Sequence, residues 1–248
     1  MSGSALIARM RDVLPARARE RRGFDEAGFK GYSDRRPDGP IAKLVVKGAV
    51  DVFWRRSSES LVVVAGDSQE ACDAIETRFN GSTLVVEGYG GAGVTVIANG
   101  NVTMVAGRDV WINGVRVNAA PSHGRAAVFI AGPTAPDVEI RGSGDVVLQG
   151  VDQRSLDLQV VGSGDIEVDG RVERFTAEVA GSGDIDASEL VAQGVDCSVA
   201  GSGDVDVHAV QGIRARVAGS GDIVVRGSPP VRDTRVAGSG DIRFKKAR

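Results

Sequence analysis

Six aspartates recur through the C-terminal half at nearly fixed intervals: Asp145, Asp165, Asp184, Asp204, Asp222 and Asp241. Each closes a Gly-Ser-Gly-Asp tetrapeptide. The first is Gly142-Ser143-Gly144-Asp145, and the others begin at Gly162, Gly181, Gly201, Gly219 and Gly238, with spacings of 20, 19, 20, 18 and 19 residues. A row of carboxylates can do three kinds of chemistry. It can hold calcium between neighbours, as in glycine- and aspartate-rich repeat toxins, although those have a shorter period and a different motif. It can supply an acid and a base to a glycosidic bond, if one member has a raised pKa and the pair a defined separation. Or each carboxylate can accept backbone N–H groups in its own turn, as Asx turns do. The third fits best, because a residue repeated at one position of every coil meets a local structural need. Neighbouring carboxylates ~4.8 Å apart in water repel by about 0.9 kcal/mol per pair, and such hydrogen bonds would offset that. A ladder of serine hydrogen bonds from Ser143 to Ser239 is expected beside them.

Carboxylates stack in this way only if the backbone repeats beneath them. Two residues before the first glycine of each turn stand Ile140, Val160, Val179, Val199, Val217 and Val236. Directly after the aspartate come Val146, Ile166, Ile185, Val205, Ile223 and Ile242, and two further on Leu148, Val168, Ala187, Val207, Val225 and Phe244. Glu167, Asp186, Asp206 and Arg243 alternate with these, the period-two pattern of strands with one buried face. A third apolar position, Leu156, Phe175, Val195, Ile213 and Val231, precedes the next coil. The fold class is therefore all-β, a parallel β-helix whose coils bury their apolar faces only by stacking. At about 4.7–4.9 Å per coil the column is roughly 25–30 Å long. The glycines suit a turn that needs positive φ and close approach of stacked backbones. Cys197, in a column with Leu158, Ala177, Ala215 and Thr234, reads as core; His208, aligned with Asp169, Ser188, Arg226 and Lys245, reads as solvent-facing.

Repeated Gly-Ser-Gly-Asp-Ile/Val following a β-rich half resembles the bacterial auto-transporter adhesin head, or GIN, domain family, over about residues 41–248. The resemblance implies a β-helical fold and an adhesive role with no enzymatic activity attached. Members of that family usually look exported or lipid-anchored.

The preceding half is less regular. Residues 41–131 read as irregular β stacked on the solenoid and covering its first coil, and residues 132–248 as the regular β-helix. Leu44 to Phe53 is a strand pair broken near Gly48, and Leu61 to Val64 is a short buried strand. Asp67 to Ile75 allows one or two helical turns with Ala71, Cys72 and Ile75 inward, while Asn80-Gly81, Asn99-Gly100 and Asn113-Gly114 signal turns. Residues 1–40 form a basic, partly helical arm: nine Arg or Lys against six Asp or Glu give +3, leaving −3 − 3 = −6 for the rest. Leu6, Ile7, Met10, Val13 and Leu14 lie at helical spacing between a capping Ser4 and Pro15. So short a helix is marginal alone, and its apolar stripe is expected to dock on a protein partner or sister subunit, a solvated tail being the plainer alternative. Nucleic-acid contact is disfavoured, because interleaved aromatics are missing.

Composition narrows the function. A chain of 248 residues suffices for one large β domain, and a net charge of −3 gives it no general attraction to polyanions. Two cysteines without short-range spacing exclude a disulfide framework or a zinc cluster of the usual pattern. The two histidines, His123 and His208, supply no metal set, 11 aromatics are few for sugar stacking, and neither a phosphate loop nor a nucleophile elbow is present. No enzyme, cofactor or metal site is expected. No apolar run of signal-peptide or membrane-spanning length occurs, so assembly in the cytoplasm is expected. The reading that joins the arm to the missing export signal is a structural component of a phage particle (virion) or related assembly, a homo-oligomer anchored by its arm, with the solenoid facing a cell-surface receptor or glycan. The alternatives are a bacterial surface or exported adhesin, a cytosolic scaffold and, least favoured, a β-helical carbohydrate-active enzyme.

Overall fold

The computed structural model of the chain describes residues 30–35, 37, 39–88, 93–98, 101–106, 109–112, 115–118 and 126–246. In chain order come β1 (Gly31–Asp34), β2 (Lys43–Gly48), β3 (Asp51–Arg56), β4 (Leu61–Gly66), the short helix α1 (Gln69–Asp73), β5 (Glu76–Asn80) and β6 (Thr83–Gly88). Two antiparallel hairpins follow, β7 (Gly93–Ala98) with β8 (Asn101–Ala106), and β9 (Asp109–Ile112) with β10 (Val115–Asn118). Next are β11 (Ala126–Gly132), β12 (Asp137–Gly142), β13 (Val146–Gly162), β14 (Ile166–Gly181), β15 (Ile185–Gly201) and β16 (Val205–Gly219). The described chain closes with β17 (Ile223–Arg226), β18 (Val231–Gly238) and β19 (Ile242–Lys245).

From β12 onward each coil lies parallel on the one before, and the first glycines of successive turns stand opposite one another from Gly142 to Gly238. The alternating side chains do what period two requires. Ile140, Val160, Val179, Val199 and Val217 are at most 2% exposed, and Cys197 is as deeply buried in the column of small residues. The last coil departs from the expected core: Val231, Val236 and Phe244 are 66%, 43% and 36% exposed. Among the described residues no coil lies over it, since β18 pairs with β16 and β19 with β17 on one side only. His208 departs from its expected register on one side only: it stands opposite Arg226, and Arg226 opposite Lys245, as aligned, but not opposite Ser188. It pairs with Val191 rather than Ser188 and is half-buried, because the 20-residue coil from Gly181 bulges out against the 18-residue coil from Gly201.

The solenoid does not begin at Gly142. β2 lies parallel to β12 with Gly48 opposite Gly142, β3 lies parallel to the start of β13, and β6 lies parallel to β2 with Gly88 opposite Gly48. Antiparallel strands close this end: β5 on β6, and β4 then β1 on β11, which itself lies parallel to β3. Such strands blunt an edge that would otherwise invite pairing with another chain. Ser68 caps α1 by accepting the Ala71 N–H at 3.1 Å, and the helix turns Cys72 into the core as its spacing predicted. β1 lies within the stretch read as arm, so the described sheet structure already includes Gly31–Asp34. The stripe Leu6, Ile7, Met10, Val13, Leu14 and the lone His123 lie outside the described residues.

β3, β4 and β11 bury both faces. Val52, Trp54, Val62, Val64, Val128 and Ile130 join the solenoid core, while Phe53, Val63, Ala65, Ala127 and Phe129 form a second cluster with Val147 on the outer side. β4 and β11 are near-continuous apolar runs, and β3 carries Val52-Phe53-Trp54 at its centre, which is what two-sided burial demands.

Candidate functional site

The Gly-Ser-Gly-Asp turns form one column along a corner of the solenoid, and their hydrogen bonds run between coils. Gly142 O accepts the N–H groups of Ser163 and Gly164 at 2.9 and 3.1 Å, and the same fork repeats from coil to coil as far as Gly219 O with Ser239 and Gly240. The aspartate completes the set. Asp145 Oδ1 accepts the Asp165 N–H at 2.8 Å, Asp165 that of Asp184 at 3.0 Å, Asp184 that of Asp204 at 2.7 Å, Asp204 that of Asp222 at 2.7 Å and Asp222 that of Asp241 at 2.8 Å. Three successive N–H groups of each turn are thus satisfied by the coil beneath, through one carbonyl and one carboxylate. This corrects the expectation that each aspartate serves its own turn. Asp241 alone bonds locally, accepting the N–H of Ile242 at 2.8 Å. The bonds along Ser143 to Ser239 come from backbone N–H groups rather than a hydroxyl ladder, and all six serine side chains are exposed.

Glycine is required by the closeness of this stacking. A Cβ on Gly203 would lie 2.0 Å from Gly183 O, and Gly181 holds φ at +147° with its missing Cβ aimed at Gly162 O, 2.2 Å away. No side chain fits either place.

Sequence reasoning missed one member of the column. Gly48-Ala49-Val50-Asp51 makes the same turn, and Asp51 Oδ1 accepts the Asp145 N–H at 3.1 Å. The signal was there in the flanks, since Val46, Val52 and Trp54 occupy the same three positions as Ile140, Val146 and Leu148.

Electrostatically the column is a structural ladder. Burial, foremost, and the flanking Asp165 and Asp204 raise the Asp184 carboxyl, partly opposed by its hydrogen bond from Asp204. Elsewhere the carboxylates are matched by arginines on adjacent coils. Arg226 forks onto Asp206 at 3.0 and 2.7 Å, and Arg171 onto Asp152 at 3.0 Å through both nitrogens, with Arg56 adding a third contact at 2.7 Å. The Arg171 and Arg56 hydrogen bonds hold the Asp152 carboxyl well below the usual carboxylate range. Burial pushes the Cys197 thiol up to about 12 and that of Cys72 to about 11, leaving both thiols protonated at neutral pH. Among the described residues no group of three or more His, Cys, Asp or Glu is placed to hold a metal ion, and no helix is long and apolar enough to cross a membrane.

A family model described as "Putative auto-transporter adhesin, head GIN domain" matches residues 41–229. The chain belongs to that family. The start of the GIN-domain match at residue 41 takes in the hidden turn at Gly48, in agreement with the stack. Its fold is shared by solved structures. One, of a putative adhesin from Bacteroides fragilis NCTC 9343, aligns with a TM-score of 0.61 at 20% identity over 87% of this chain and 98% of that one. Another, of a "putative lipid binding protein" from Parabacteroides distasonis ATCC 8503, aligns with a TM-score of 0.50 at 21% identity over 87% and 97%. At such identity the likeness carries the β-solenoid and not a ligand. No curated protein matches the sequence. Nothing in the GIN-domain match or in these structures points to a phage particle or to anchoring by an arm, so the adhesin alternative displaces the virion reading.

Proposed function

We propose that the chain is a non-enzymatic adhesive module, exported or displayed at a cell surface, whose solenoid offers a repeated surface to an extended ligand. The observation that carries this reading is the repetition itself. Ser143, Ser163, Ser182, Ser202, Ser220 and Ser239 stand exposed at the same corner of successive coils, beside the exposed Ala180, Ala200, Ala218 and Ala237. Catalysis needs one carboxylate set apart from its neighbours; here the column carboxylates share one role, holding the next coil. A polymer lying along the corner meets the same weak contact every ~4.8 Å, and contacts held on one rigid scaffold reinforce each other. Family membership supports the adhesive class.

The test is retention of beads coated with the chain on arrayed matrix proteins and glycans. The double variant Ser163→Arg/Ser202→Arg places bulky cations on the corner and should lower retention at least about tenfold with unchanged melting, as expected when several weak contacts are lost together. Release of cleaved glycan from the array, or equal retention by variant and parent, would overturn the reading.

A further inference from the structure

The last coil, β18 and β19 with the turn between them, has the form of a coil that another follows. Gly238 holds φ at +140°, in the range of the five Gly-Ser-Gly-Asp turns before it. Its carbonyl stands where Gly219 O accepts two N–H groups, yet it accepts none among the described residues. β18 pairs with β16 and β19 with β17 on one side only, so the other edge of each leaves N–H and C=O groups unpaired among the described residues. Val236 and Phe244, both exposed, continue the core columns of Val217 and Val225 to this edge. Charge also changes sign along the solenoid. Residues 157–213 hold two Arg against twelve Asp or Glu, a net −10, whereas residues 214–248 hold nine Lys or Arg against three Asp, a net +6. Arg214 and Arg216 are engaged by Asp196 and Asp233. Arg235, Lys245 and Lys246, exposed on the last coil, form no ion pair among the described residues.

We propose that this end binds an extended acidic segment of another protein, which adds to the open edge as a further strand. Backbone hydrogen bonds supply the attraction common to strand addition, and alternate side chains supply the choice of partner. Apolar residues of the segment lie over Val236 and Phe244, and its carboxylates face Arg235, Arg243 and Lys245, the opposite-charge pairing that stabilises neighbouring strands. The rest of this chain does not match the site. Residues 1–29 hold six Arg against four Asp or Glu, and residues 89–125 three Arg against one Asp, so each carries +2 and neither is the complement of a basic end. A second copy presenting the same end sets +6 against +6, and its acidic strands β14, β15 and β16 are already paired on both sides. Like charges at an edge thus keep copies apart while admitting an acidic strand. A lipid surface fits less well, because the hydrocarbon of a membrane offers nothing to unpaired backbone groups.

The probe is a fluorescent synthetic peptide copying residues 157–169, an acidic coil of the chain itself. Aligned by its turn, it sets Val160 and Val168 over Val236 and Phe244, and Glu167 and Asp169 over Arg243 and Lys245. Fluorescence anisotropy with the full chain at low ionic strength should show saturable binding. At saturation the amides of β18 and β19 should exchange with deuterium at least about tenfold more slowly, as new strand pairing requires. The full-length Lys245→Glu/Lys246→Glu variant should bind at least about tenfold more weakly with unchanged melting. The same peptide carrying Val160→Pro and Val168→Pro keeps its charge but cannot extend the sheet; equal binding by it to the unaltered chain would overturn the proposal. So would peptide binding that leaves β18 and β19 unprotected, or capture of the chain by phosphatidylserine vesicles without any binding of the peptide. A doubled mass by light scattering that shuts the peptide out would place a second copy on the edge and overturn it too.

Discussion

Asp184 has Asp165 on one side and Asp204 on the other, so it isolates the two opposed contributions in the ladder. Asp184→Asn keeps an oxygen that can accept the Asp204 N–H, now 2.7 Å away, but removes the charge. At a coil spacing of ~4.8 Å each neighbouring carboxylate repels Asp184 by about 0.9 kcal/mol in water, so the substitution relieves about 1.7 kcal/mol. Against this, a hydrogen bond to a charged acceptor is stronger than one to an amide by roughly 1 kcal/mol. The net expectation is a variant more stable than the parent by about 0.5–1 kcal/mol at neutral pH. Asp184→Ala gains the same relief but strands the N–H, and should fall below the Asn variant by roughly 1–3 kcal/mol. The pH dependence follows from the raised carboxyl. A raised folded pKa means that the group's stabilising contribution is complete below the unfolded value of 3.8 and is lost as pH rises through the folded one. The advantage of Asn is therefore present at neutral pH and fades as the pH is lowered past that point. Urea titration followed by circular dichroism at both pH values measures it. An Asn variant as unstable as the Ala variant, with calcium restoring the parent's lead, would refute the backbone ladder and favour a cation between coils.

Three further outcomes are expected. Gly203→Ala forces a Cβ to 2.0 Å from Gly183 O and should cost about 1–3 kcal/mol, whereas Gly194→Ala, whose nearest neighbour is 3.9 Å away, should stay within about 0.5 kcal/mol by the same titration. Val160→Asp and Val161→Asp differ by one position, but Val160 is fully buried and Val161 is 42% exposed, so the first should unfold the solenoid and the second shift it by under about 1 kcal/mol; equal losses would refute the inward and outward assignment. Glu139, buried between Lys43 at 2.8 Å and Arg141 at 2.5 Å, has its pKa lowered, chiefly by the hydrogen bond from Lys43. Its contribution is present above the unfolded value of 4.5 and lost as pH falls through the folded one, so Glu139→Gln should be less stable at neutral pH and lose less between there and pH about 3.

The regular half was legible because each coil poses the same packing problem and answers it with the same residues. Four features escaped for physical reasons. The Gly48 turn lacks the serine and second glycine that mark the others, and only its flanks betray it. The partner of each aspartate sits a full coil away, so a local turn motif could not distinguish an N–H of its own turn from one of the next; Asp241, with no described coil above it, shows the local alternative. The second apolar layer on β3, β4 and β11 appeared in the sequence only as runs such as Leu61 to Ala65, which signal burial without saying on how many sides. The register of His208 against the coil before it was missed because alignment by motif spacing cannot say where a longer coil bulges.

The position of the Gly48 turn bears on how the chain reaches its fold. Coils from Gly142 onward contact neighbours about 19 residues away, a short loop to close, and such an array can zip from any nucleus. The coil of β2 and β3 finds β6 within 40 residues, but on the side of the repeats it waits for partners 94 residues later, with Asp51 reaching Asp145 across everything between. During synthesis its apolar strands emerge first and find their place late, so the C-terminal repeats act as the template on which the beginning of the chain condenses. Pulse-labelled refolding should accordingly protect Val179 and Val199 before Val46 and Val52, and the reverse order would exclude nucleation in the repeats.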